Sequence, residues 1–180
     1  MRNAISTRRL SLSAMLLAVM LLLGYVESLF PVAGLPGIKL GLSNGVLLVS
    51  LHLFGFWHSM LLMLGKVLLS ALLFGGIAPM LYALAGGIVS MTGMWLAMRP
   101  RLELSSAGTG IVGAICHNMA QLALATAVVE TKELAYYGGI LLASGALTGA
   151  ATGIAAGQVL RHAGNLLQKL SKEKEKTEGR

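Results

Sequence analysis

With 180 residues, 56 % of them hydrophobic and 12 % charged, and a mean hydropathy of +0.76, the chain carries about half the charge of an ordinary soluble domain. That composition describes a membrane protein, and the length suits one bundle of about six spans of ~20 residues each, leaving no room for a second domain. A net charge of +7 is no nucleic-acid footprint here, because the cations gather at both ends and in one loop, as they do beside membrane spans.

Residues 1–9 form a basic lead with Arg2, Arg8 and Arg9. Thr7-Arg8-Arg9-Leu10 superficially resembles a twin-arginine export signal, but the apolar run behind it reaches Tyr25 without a small-residue cleavage site, and more spans follow. It predicts a first helix over 10–29, ending near Glu27 and Pro31. Ala14 and Ala18 stand four apart on one of its faces, which lets another helix approach closely. The connection 30–40 holds Pro31, Gly34, Pro36 and Gly37 and is longer than a tight helical hairpin needs.

A second helix is expected over 41–56, short for a span, with His52 as a packed, hydrogen-bonded side chain. Phe54, Phe56 and Trp57 then supply an interfacial anchor, and His58 joins the turn. The third helix, 58–76, carries Lys66 near its middle, on one face with Ser59 and Ser70. The fourth, 77–98, contains Gly86, Gly87 and Gly93 and ends at Trp95 and the basic loop Arg99-Pro100-Arg101. The fifth, 106–129, centres on Cys116-His117-Asn118-Met119-Ala120-Gln121, and Glu130, Lys132 and Glu133 mark the next polar loop. The sixth, 135–160, places Gly145, Gly149, Gly153 and Gly157 at four-residue intervals, a stripe of bare backbone for a neighbouring helix. Residues 161–180 read as a charged tail, helical to Leu170 and disordered beyond. The expected fold class is therefore an all-α integral membrane bundle of six transmembrane helices spanning 10–160. Arg2, Arg8, Arg9, Arg99, Arg101, Arg161, Lys169, Lys172, Lys174, Lys176 and Arg180 flank one side against Lys39 and Lys132 on the other, which predicts cytoplasmic termini in a multi-pass protein of the cytoplasmic membrane.

Pro36-Gly37-Ile38-Lys39-Leu40-Gly41-Leu42-Ser43-Asn44 combines a helix breaker, two glycines, a cation and an amide between two apolar segments. Irregular polar backbone at membrane depth is tolerated where it lines a cavity or packs inside protein. Lys66 at mid-bilayer costs at least ~2.5–3.5 kcal/mol, so it should face the interior. With no carboxylate expected at its depth, it is neutral, held by carbonyls and amides, or met by an anionic ligand. His117, Asn118 and Gln121 share one patch through i,i+3 and i,i+4 spacing. Lys39, Asn44, Lys66, His117, Asn118 and Gln121 are thus the candidate ligand-binding residues. Cys116 is the single cysteine, no Cys/His set has zinc spacing, and no metal or other cofactor is expected. All seven acidic residues are glutamates, so an aspartate-rich magnesium site for prenyl diphosphate chemistry is missing. Neither a nucleophile–base set nor a nucleotide-binding loop is visible, and the chain is expected to be non-catalytic on its own.

The Pro36–Asn44 run and His117-Asn118-Met119-Ala120-Gln121-Leu122 resemble the two signatures of the heptaprenyl diphosphate synthase component I proteins, also called the Gx transporter family. The resemblance covers about residues 10–160 and departs at Ser43, where alanine is expected. The family is similar in layout to the substrate-binding S components of energy-coupling-factor transporters. That likeness implies a lid over 30–40, a docking face at Ala14 and Ala18 for a transmembrane coupling subunit, and a partner ATPase as energy source. The leading expectation is a membrane-embedded substrate-binding component for a small molecule, anionic or partly apolar. The alternative is an accessory membrane subunit linked to heptaprenyl diphosphate or quinone metabolism or to membrane redox partners, and a purely structural scaffold follows only if no cavity exists.

Overall fold

In hydrocarbon a backbone must satisfy its own polar groups, and an apolar chain of this kind does so as helices. The computed structural model describes residues 2–29, 41–129, 136 and 138–178, which form helices and no strand. Lys39, the rest of the 30–40 connection and the Glu130–Glu133 loop lie outside the described residues. The helices are α1 (Arg2–Leu29), α2 (Leu42–Phe54), α3 (Phe56–Ser70, continued by a π-helical turn Ala71–Gly75), α4 (Ile77–Ala97), α5 (Ser106–Val129) and α6 (Gly138–Glu178). All but α2 are long and apolar enough to cross a membrane, so the chain is a helical, multi-pass membrane protein.

Burial runs opposite to that of a soluble core. Ser50, Ser59 and Thr109 have no exposed surface, whereas Leu61, Leu72 and Leu147 are 68 %, 83 % and 74 % exposed. Small hydroxyls let helices approach and bond to one another, while large apolar side chains face outward to lipid. The Ser50 and Ser59 hydroxyls meet at 2.7 Å and tie α2 to α3. Methionines Met20, Met63, Met91 and Met94 fill the interior around Leu47, Leu48 and Leu51.

The short α2 is the central element. At ~1.5 Å per residue its 13 residues reach only ~20 Å, yet it packs against all five other helices and buries Gly45, Leu47, Leu48, Val49, Ser50 and Leu51. Gly45 brings it against α6, where an added Cβ would lie 3.1 Å from the Thr152 carbonyl oxygen. Single glycines make the next two corners. Gly55 (φ 79°, ψ −178°) separates α2 from α3, and Gly76 (φ 79°, ψ 179°) separates α3 from α4. Only glycine populates that region readily, so each corner needs just one residue. His58 consequently stands inside α3 rather than in a turn, with Nε2 2.7 Å from the Ser13 hydroxyl of α1. His52 is exposed, not packed, and its Nδ1 bonds back to the Leu48 carbonyl at 3.0 Å. The aromatic anchor is larger than the sequence suggests, since Phe56 also stacks on Trp95 and Arg99 lies 4.0 Å over the Trp95 ring.

α5 and α6 share the most extensive interface of the bundle. The glycine stripe builds it: a Cβ on Gly149 would stand 2.8 Å from Ile111 Cα, and one on Gly153 2.8 Å from Ala107 Cα. The expectation of a tail disordered after Leu170 is corrected, because α6 is one helix of 41 residues to Glu178. No proline or glycine lies between Asn165 and Glu178, and lysine, glutamate, leucine and glutamine are good helix formers. At ~1.5 Å per residue α6 is ~60 Å long, twice the ~30 Å hydrocarbon thickness, so it extends well past the bilayer.

Candidate functional site

The start of α2 borders a cavity in the bundle and creates an electrostatic demand there. Its cap residue Gly41 has φ 71° and no side chain with which to bond the first free N–H groups. The Glu27 carboxylate of α1 supplies that acceptor and takes the Leu42 N–H. One residue on, the Ser43 hydroxyl accepts from the Lys66 ammonium of α3 at 2.9 Å. An anion at a helix N-terminus is favoured by the helix dipole, and the cation beside it by the anion. Ser43 is thus the hydrogen-bond acceptor of Lys66.

Glu27 corrects the expectation that no carboxylate reaches the depth of Lys66. It is 7 % exposed, and it lines the same cavity as Lys66. The sequence reading placed it near the end of the first helix, and α1 does end at Leu29 as expected; what the sequence did not show is that Glu27 packs against the start of α2 and accepts the Leu42 N–H. An ionisable residue within an apolar span is a functional candidate by default, and Glu27, near the end of the span Thr7–Leu29, carried that signal. Gly24, one turn earlier, lies against Lys66, with an added Cβ 3.7 Å from its Cε.

The far wall comes from α4, α5 and α6. His117, Asn118 and Gln121 of α5 line the cavity with Asn44 and Lys66, so five of the six candidate ligand residues are brought together. The sixth, Lys39, lies outside the described residues. Glycines make room for the larger groups. A Cβ on Gly86 would stand 2.8 Å from His117 Nδ1, and one on Gly145 2.9 Å from Asn118 Nδ2. The Asn118 amide donates to the Leu141 carbonyl of α6 at 3.0 Å, so it also ties two helices together. Thr148 adds a hydroxyl that the sequence reading missed, and Leu47, Met63, Ala83 and Ala114 supply apolar wall. Cys116 points elsewhere, against Gly93 of α4. Ala14 and Ala18 are exposed on α1 and do not line the cavity.

The space enclosed is about 30 Å³. A water needs ~10–15 Å³ by the same measure, so one or two waters or one small polar group fit without movement of the walls. Among the described residues no group of three or more His, Cys, Asp or Glu is placed to hold a metal ion. The cavity wall thus brings a carboxyl group, an amine, an imidazole and several amides and hydroxyls together inside an apolar chain.

A family model described as heptaprenyl diphosphate synthase component I matches residues 16–159. No curated protein and no solved structure matches the chain.

Proposed function

The chain belongs to the heptaprenyl diphosphate synthase component I family, and from the cavity it encloses we propose that it is the membrane-embedded substrate-binding component of a small-molecule transporter of the energy-coupling-factor type. The observation that carries this reading is a polar, charged cavity assembled from all six helices inside an otherwise apolar bundle. Its ligand is anionic or partly apolar: Lys66 attracts the anionic end, His117, Asn118 and Gln121 orient it, and Leu47 and Met63 take the apolar part. A ligand larger than the enclosed space enters by displacement of the walls. The chain is non-catalytic on its own, and a partner ATPase supplies the energy. Ala14 and Ala18 form the docking surface for a transmembrane coupling subunit, a reading supported by their exposure on α1.

Native mass spectrometry of the gently solubilised protein should find a retained small molecule, and affinity purification should bring down ATPase and coupling subunits. Ala14→Trp and Ala18→Trp should leave the small molecule bound while reducing recovery of the coupling subunit more than tenfold. Normal recovery in both variants would assign the docking surface to another face.

The family description favours a second reading, an accessory membrane subunit that presents isoprenoid substrates or quinones to an enzyme or redox partner. A prenyl synthase or redox protein in the purified complex, in place of an ATPase, would decide for it.

In either reading the termini are cytoplasmic, a proposal supported by the distribution of flanking cations. A reporter fused after Arg180 should read cytoplasmic and one inserted at Lys132 external. The opposite pattern would overturn this orientation.

A further inference from the structure

The cavity already holds one negative and one positive side chain, and that pair limits what an anionic ligand can do. Glu27 and Lys66 are bonded to neighbouring residues of α2, Leu42 and Ser43, on the wall of a space of about 30 Å³. An anion drawn to Lys66 therefore arrives beside a carboxylate that is 7 % exposed. Two negative groups facing one ammonium in a low-dielectric site repel strongly, and one of them takes up a proton. We infer that an anion binding at Lys66 carries a proton into the site and that the proton is held on Glu27. The inference rests on the reading of the cavity as a ligand site.

The chemistry balances without a further partner. One proton leaves the aqueous phase and joins a Glu27 oxygen; the other oxygen still accepts the Leu42 N–H, and the new O–H donates to the anion. The proton returns to water when the anion leaves. Every helix contributes to the wall, so rival acceptors can be named. α3 contributes Lys66, which is already a cation, and α5 contributes His117 with the uncharged Asn118 and Gln121. α2, α4 and α6 contribute Ser43, Asn44, Ala83 and Thr148, none of which titrates. Among the described lining residues His117 is the one alternative, and it differs from Glu27 in standing on α5 against Gly86 of α4 rather than on the Leu42 N–H.

Formate is a suitable probe, because it fits a space of this size and keeps its single charge from pH 5.5 to 8. Its affinity for the full-length, detergent-solubilised protein should rise as pH falls, approaching about tenfold per pH unit for one linked proton. Infrared difference spectra on adding formate should show a protonated-carboxyl band appearing at neutral pH. Glu27→Gln should bind formate with no pH slope and without that band, whereas His117→Gln, with its overall affinity lowered, should still show the slope and the band. Formate affinity independent of pH in the wild-type protein would overturn the inference, as would a slope lost in His117→Gln and kept in Glu27→Gln. Should Glu27→Gln not fold, the wild-type band and slope still decide. No formate binding at any pH would also overturn it, yet would leave the transport reading to be judged by retained ligand and co-purified subunits.

Discussion

Gly153→Leu should yield no folded bundle, and Gly149→Leu should behave the same way. At both positions a Cβ alone would stand 2.8 Å from backbone carbon of α5, well inside contact distance. Neither side of this contact has a rotamer to change, so the helices must separate along their most extensive interface. Overpacking a core usually costs ~1–3 kcal/mol where side chains can give way, and here only backbone is available. Against a total stability of ~5–15 kcal/mol, a branched four-carbon side chain at either glycine is expected to exceed what the bundle tolerates. Gly153→Ala is the graded control and should lower the thermal midpoint while leaving some folded protein. Size-exclusion profile and thermal unfolding in detergent check both. Wild-type stability in Gly153→Leu would mean that α5 and α6 do not meet along this stripe.

Lys66→Met is expected to abolish ligand binding and, in addition, to destabilise the protein. On the proposed function, the first effect follows from loss of the cation to which an anionic ligand would be drawn. The second follows from Glu27, which shares the cavity and would remain as a buried carboxylate without the ammonium opposite it. Removing one member of a fully buried pair of opposite charges costs ~3–5 kcal/mol, chiefly because the other is left behind, and with Lys66 only half-buried a smaller loss is expected here. The double variant Glu27→Gln/Lys66→Met removes both charges, so it should recover most of the stability and none of the binding. Lys66→Arg keeps the charge and should retain part of the affinity, less if the guanidinium is too broad for the site. Thermal midpoints and the small molecule retained in native mass spectra separate the two effects. Unchanged retention in Lys66→Met would confine this lysine to a structural role, and a double variant no more stable than the single one would show that the two charges do not depend on each other.

The amino-acid sequence alone was enough to locate the six helices, because an apolar helix shows in the summed hydropathy of its own segment, though five of them and not the six expected are long and apolar enough to cross a membrane. The fifth helix, expected over 106–129, is α5 at Ser106–Val129, and α4 lies within a residue of its expected end. The glycine stripe was legible for a similar reason: a four-residue period names one face of one helix, and bare backbone there serves close approach. Asn118 and Gln121 could be placed with His117 in the same way, being neighbours on a single helix. Lys66 was legible as an ionisable residue at mid-span, before any partner for it was known.

What joins these features depends on rotation and depth of helices relative to one another, and no period within a segment encodes that. Glu27 reads as an acid near the end of an apolar helix until the packing of α1 on α2 is seen to put its carboxylate on the Leu42 N–H. Ser43 reads as a minor substitution until its hydroxyl is found on Lys66. α2 is too short for a span and looks like the weakest helix, yet it packs against every other one and so sets where the cavity lies. Gly55 and Gly76 carry no visible signal, because a single residue at positive φ leaves the apolar runs on either side unchanged. Hydropathy is a property of segments and was decided by the sequence; the pairing of Glu27, Ser43 and Lys66 is a property of three helices packed together, and only the tertiary structure decided it.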